Sequence, residues 1–148
     1  MKKITVVMLP LMVCFCLFST MTRTGSAYEE VKNHPIDLAL EKKIDADPSP
    51  AGMVEAYEWA IEAWDKLLNE NYNALAKKLD KENQERLRAS HREWIQYRDL
   101  EFRFNSEYWG TFQGSMYVSF PLAYQSNFVR ERALRLGYYL NDLKERQE

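Results

Sequence analysis

The residues in this chain best suited to acid–base chemistry are four carboxylates, Glu55, Glu58, Glu62 and Asp65, spaced three or four positions apart. At about 100° per residue they share one side of a helix, where paired carboxyls could serve as general acid and base. Such catalysis needs surroundings that drive the two pKa values apart, and no His or Cys accompanies these four, so they read as a solvated helix face. A hydrolase built on Glu58, Glu62 and Asp65 is therefore the weakest functional class. The two histidines, His34 and His91, stand far apart in sequence, and no cysteine follows Cys16, so no metal-ligand cluster is expected. There is no glycine-rich phosphate loop or nucleophile elbow, and Gly110 and Gly114 are too sparse to cradle a phosphate. The expectation is a protein with no catalytic residue, metal or cofactor.

The N-terminal stretch Met1–Ala27 reads as a secretory signal peptide: Lys2 and Lys3, an apolar run from Ile4 to Phe18, then the small residues Gly25-Ser26-Ala27. Cleavage after Ala27 would give an exported chain, periplasmic or extracellular, that begins at Tyr28 and keeps no membrane span. Val13 is not the small residue that lipidation at Cys14 would require. Cys14 and Cys16 both leave with the signal, so the mature chain has no disulfide and its core must hold alone. Removing Lys2, Lys3 and Arg23 with no acid takes the formal charge from −2 to −5. An acidic chain with a pI near 5.8 is a poor partner for nucleic acid.

The elements that would position any site read as helices. Residues 28–50 form a leader and linker: Ile36, Leu40 and Ile44 fall four apart after Pro35, a short helix, and the two prolines of Asp45-Ala46-Asp47-Pro48-Ser49-Pro50 oppose its continuation. Residues 51–148 form the main domain. From Met53 to Leu79 one apolar stripe runs through Tyr57, Ala60, Trp64, Leu68, Tyr72 and Leu75. Asp80 is placed to cap a second helix that carries Leu87, His91, Trp94, Tyr97, Arg98 and Phe102 on adjoining turns and continues towards Tyr108. Gly110 and Gly114 bracket a break, and Met116–Phe120 reads as extended or as the distorted start of a helix before Pro121. Val129, Ala133, Leu136, Leu140 and Leu143 then restore a helical stripe, which Gly137 weakens locally. The fold class is all-α: an antiparallel bundle of three main helices plus a short N-terminal helix.

Aromatic residues are unevenly spread. Ten of the eighteen that follow Ala27 lie between Trp94 and Tyr124, more than one helix face can bury, so some must reach the surface. Trp59 also lies off its stripe, and the leader helix is expected to cover it. The segment Trp109–Phe120 combines aromatics with polar groups at a break between helices. Trp109, Phe112, Gln113, Ser115 and Tyr117 are accordingly the candidate partner-binding residues, the competing reading being that these rings fold back over the end of the bundle.

The run Asp65-Lys66-Leu67-Leu68-Asn69-Glu70-Asn71-Tyr72-Asn73-Ala74-Leu75, followed by His91-Arg92-Glu93-Trp94-Ile95-Gln96-Tyr97-Arg98-Asp99, resembles the LprI-like lysozyme-inhibitor domains. Gly114-Ser115 and Arg132-x-x-x-Leu136 match later elements of that pattern, so the resemblance spans Met53 to Leu136. It departs where the family places cysteines, at Ala56, Phe102 and Tyr124, and where the family has Gln and this chain has His91. Phe102 and Tyr124 are expected to occupy neighbouring core sites in place of a bridge. Asp65, Leu68, Asn69, Tyr72, Trp94, Arg98, Asp99 and Arg132 are read as architecture: apolar members in the core, Arg98 paired with Asp65 or Asp99, and Asn69 bonded between helices.

The resemblance implies a non-enzymatic binding protein whose partner is a protein, in its sharpest form a lysozyme-type muramidase. Such enzymes are basic and cleave with two carboxylates, so an acidic aromatic surface would be steered to the cleft. The rival reading is a cell-envelope interaction or structural module with no lysozyme partner.

Overall fold

Two short polar corners and one aromatic loop divide the residues described by the computed structural model, 34–146, into four α-helices. The stretch expected to be a signal peptide, with Cys14, Cys16 and the expected cleavage after Ala27, lies outside the described residues. Helix α1 is Pro35–Ala46, α2 Pro50–Lys78, α3 Lys81–Gly110 and α4 Phe120–Glu145, with a 3-10 turn at Ser115–Ser119 leading into α4. The architecture is all-α, as the periodicity predicts, and no helix among the described residues is long and apolar enough to cross a membrane.

Local chemistry sets each boundary. His34 caps α1, its Nδ1 accepting the Ile36 N–H at 3.2 Å. Ser49 Oγ accepts the Gly52 N–H at 3.1 Å and Asp80 Oδ1 the Asn83 N–H at 2.8 Å, satisfying N-terminal donors of α2 and α3. Pro50 corrects the linker reading. It occupies the first turn of α2, where its missing N–H costs nothing, so only Asp47-Pro48-Ser49 separates α1 from α2. Of the two readings of Met116–Phe120, the helical one holds, as a 3-10 turn rather than a strand.

The core is a seam between α2 and α4. Ala60, Trp64, Leu68 and Leu75 from α2 meet Val129, Ala133 and Leu136 from α4, all nearly or wholly buried. Alanines on both helices allow close approach, and Trp64 fills the space they leave. Asn71 Nδ2 donates to the Ala133 carbonyl at 3.0 Å across the seam. Gly137 lies opposite, where a Cβ would stand 3.0 Å from that amide nitrogen, so the residue read as a weak point in α4 makes room for an interhelix bond.

Helix α1 buries none of its residues fully. It is fastened at one end, where Arg130 of α4 donates to both carboxylate oxygens of Asp37 at 2.8–3.0 Å and His34 packs 4.5 Å from the Trp64 ring. Lys43 sits 5.0 Å over Trp59, so α1 covers that tryptophan as expected. Helix α3 is different again: thirty residues long, it has Asn105 as its one buried residue.

Candidate protein-binding surface

Two rows of apolar side chains run along α3. One row faces α4 through Phe128, whose ring lies 5.8 Å from Trp94 and 5.6 Å from Phe102. The other row is Tyr97, Leu100, Phe104 and Tyr108, spaced three, four and four apart and so on one line of the helix. This second row faces solvent, with Leu100 61% and Phe104 63% exposed. Carboxylates punctuate it: Glu101 and Glu107 stand three residues either side of Phe104, and Glu93 four before Tyr97. Tyr97, at the start of the row, is more than half exposed and also lies 5.5 Å from the Phe128 ring.

The outer row ends in the loop that the sequence singles out. Thr111 closes α3, its Oγ1 donating to the Tyr108 carbonyl at 2.7 Å. Gly114 adopts φ 123°, a backbone region that side chains other than glycine's rarely tolerate, and its carbonyl accepts the Tyr117 N–H at 3.2 Å. That reversal stacks Tyr117 6.1 Å from Trp109, with Phe112 5.3 Å from both rings and Phe120 4.9 Å edge-on to Trp109. Trp109 and Tyr117 are half-buried in this cluster, while Phe112, Gln113 and Ser115 are exposed. The rings pack on one another at the end of α3, and Phe112 still presents an edge to solvent. Leu100, Phe104, Met116 and Val118 are exposed apolar residues that the sequence reading did not single out. The recurrence 97, 100, 104, 108 carried the signal for the first two.

The motif residues sit behind this surface. Leu68 is buried, and Tyr72 stacks 4.5 Å from His91, which in turn lies 5.7 Å from Trp94. Burial, then the nearby Arg132 and Arg98 guanidinium groups, hold His91 below the ordinary histidine pKa. Arg98 takes the nearer of its two expected partners, donating to Asp99 Oδ1 from Nε at 2.9 Å and from Nη2 at 2.7 Å while its guanidinium lies 5.5 Å from Trp94. Asp65 is occupied within its own helix, accepting from Asn69 Nδ2 at 2.9 Å. The interhelix role expected of Asn69 is corrected: it is exposed, and the half-buried Asn71, two positions on, makes the cross-helix bond.

The cysteine-replacement expectation also needs correction. Phe102 and Tyr124 both pack on Phe128, at 5.6 and 6.2 Å, but Tyr124 is exposed and donates its hydroxyl to Glu101 Oε1 at 2.9 Å. Burial of the phenol and the adjoining Glu101 carboxylate push the Tyr124 hydroxyl up to about 12. Ala56, at the third such position, is buried. Among the described residues no group of His, Cys, Asp or Glu is placed to hold a metal ion.

No curated protein and no solved structure matches this chain. The family model described as lysozyme inhibitor LprI matches residues 42–136, from the second half of α1 through the seam with α4. With α2, α3, the aromatic loop and α4 as far as Leu136 inside that match, the chain belongs to the LprI family.

Proposed function

We propose that this protein is an exported, non-enzymatic inhibitor of a basic lysozyme-type muramidase, and that it binds through the outer row of α3 and the aromatic loop at its end. The family match carries the reading. The surface supports it: Phe104, Tyr108 and Phe112 offer large rings with few rotatable bonds, and Glu101 and Glu107 flank them with negative charge. Aromatic anchors bordered by carboxylates suit a cationic protein, with charge steering the encounter and ring burial supplying affinity. In this reading Trp109 and Tyr117 set the loop, while Phe112, Gln113 and Ser115 make contact.

The test is muramidase turnover on cell-wall substrate at increasing inhibitor, at low and moderate salt. Wild type is expected to inhibit at micromolar concentration or below, less strongly as salt screens the acidic rim. Phe112→Ala and Gln113→Ala should weaken inhibition, by about tenfold for the ring, with the unfolding midpoint held. Absence of inhibition of any basic muramidase at about 10 µM overturns the proposal and leaves the envelope-module reading.

A further inference from the structure

Four half-buried arginines lie along α3 and α4: Arg98, Arg130, Arg132 and Arg135. Arg98 is closed by Asp99 at 2.7 Å and Arg130 by Asp37 at 2.8 Å. Arg132 is closed by no carboxylate among the described residues. Its Nη2 has one long contact, 3.4 Å to Ser90 Oγ, its Nε is buried without an acceptor, and its guanidinium lies 5.7 Å from the Trp94 ring. A cation taken partly out of water without a counter-charge is costly, and the pattern set by the other two arginines makes its missing partner conspicuous.

Arg132 lines an open cleft of about 470 Å³ between α3 and α4. That volume falls within the range of small-molecule sites. Tyr97 and Tyr124 stand on the cleft wall with their rings exposed, Arg135 adds a second guanidinium, and Asn127 and Glu131 stand at the rim, joined by a 3.1 Å hydrogen bond. An anion alone would use the arginines and leave the rings and Glu131 idle. A neutral sugar would use the rings and leave Arg132 without a counter-charge. One chemistry engages all of them: a ring with an apolar face, hydroxyl donors and a carboxylate.

We propose that the α3–α4 cleft is a binding site for a carboxylate-bearing sugar, its carboxylate on Arg132, its ring against Tyr97 and Tyr124, and its hydroxyls on Asn127 and Glu131. Burial and the nearby Arg135 lower the pKa of Arg132, a cost that an arriving carboxylate would offset. The cleft shares only Tyr97 with the outer row proposed for muramidase inhibition, and Arg132, Asn127 and Glu131 lie on α4, outside that surface. The test of the cleft contains no muramidase, so either proposal can fail without the other.

The experiment is calorimetric titration of the protein with methyl glucuronide, with methyl glucoside as the neutral ring and 4-hydroxyphenylacetate as the aryl acid. The glucuronide is expected to saturate with a Kd of about 1 mM or below, and the other two to bind at least about tenfold more weakly. Arg132→Lys, which keeps the charge but not the planar fork, should weaken the glucuronide several-fold. Tyr97→Ala, checked by an unchanged unfolding midpoint, should weaken it by about tenfold. No saturation by about 20 mM overturns the site, as does affinity unchanged in both variants. Equal binding of the neutral glucoside overturns the role of Arg132, and equal binding of the aryl acid overturns the sugar assignment.

Discussion

The seam between α2 and α4 and the outer row of α3 are both strings of apolar side chains at helical spacing, yet they do opposite things. In the seam, Trp64, Leu68 and Leu136 are almost fully removed from water and interleave with alanines that set the helix separation. On α3 the rings of Tyr97, Phe104 and Tyr108 stand in solvent, punctuated by Glu101 and Glu107. The difference lies in what faces each row. Small residues on a partner helix turn an apolar stripe into core, whereas carboxylates three residues away keep it on the surface. Under the proposed function, stability and recognition fall to different helices, and a change in one need not disturb the other.

The sharpest way to break that division is to truncate the seam. Trp64→Ala should cost about 3–5 kcal/mol in denaturant unfolding, because the ring is fully buried and rigid helices cannot close the gap. A loss below about 1 kcal/mol would show that the seam is not the core. Next in size is Arg130→Met, which removes the paired bonds to Asp37 and should cost about 1–3 kcal/mol. Selective protease sensitivity of residues 35–46 would show that the loss falls on α1 rather than on the seam.

Acid should act more gently and on both regions. His34 and His91 are each held below the ordinary value of 6.5, first of all by burial, so protonation favours the unfolded chain. The stability their neutral forms supply is complete above about 6.5 and is lost as pH falls from there through the depressed folded values. His91→Gln should flatten that decline on the α3 side and His34→Asn, which preserves the cap, on the α1 side. Unfolding midpoints between about pH 7 and 5 compare the two. The smallest effect is expected on the outer row, where Phe104→Ala should shift stability by no more than about 0.5 kcal/mol while weakening muramidase inhibition. A stability loss well above that would place Phe104 in a buried contact and erase the contrast.

Helix positions, caps and the seam were legible because they rest on local rules. Asp80 announces its cap, and Trp64, Leu68, Val129, Ala133 and Leu136 announce a buried face through spacing alone. Pro50 was misread because a proline that stops one helix can equally start another, and only the Ser49 cap decides between them. Asn69 and Asn71 differ by two positions on one helix, a rotation of about 200° that separates a solvent bond from a cross-helix one. The two rows on α3 were harder still. Their residue types are the same, and which row packs depends on where α4 places Phe128, a fact about the partner helix that the local pattern of α3 does not contain.

The pairing of α2 with α4 also governs the order in which the chain can fold. The bond between Asn71 and Ala133 closes 62 positions and that between Asp37 and Arg130 closes 93, while α3 lies wholly inside the loop they define. Loop closure of that length must be made before the seam returns any burial energy. A chain that stops at Gly110 lacks Val129, Ala133 and Leu136, the residues that complete the burial of Trp64 and Leu68. The buried face of α2 is therefore complete only when α4, the last helix of the described chain, has docked.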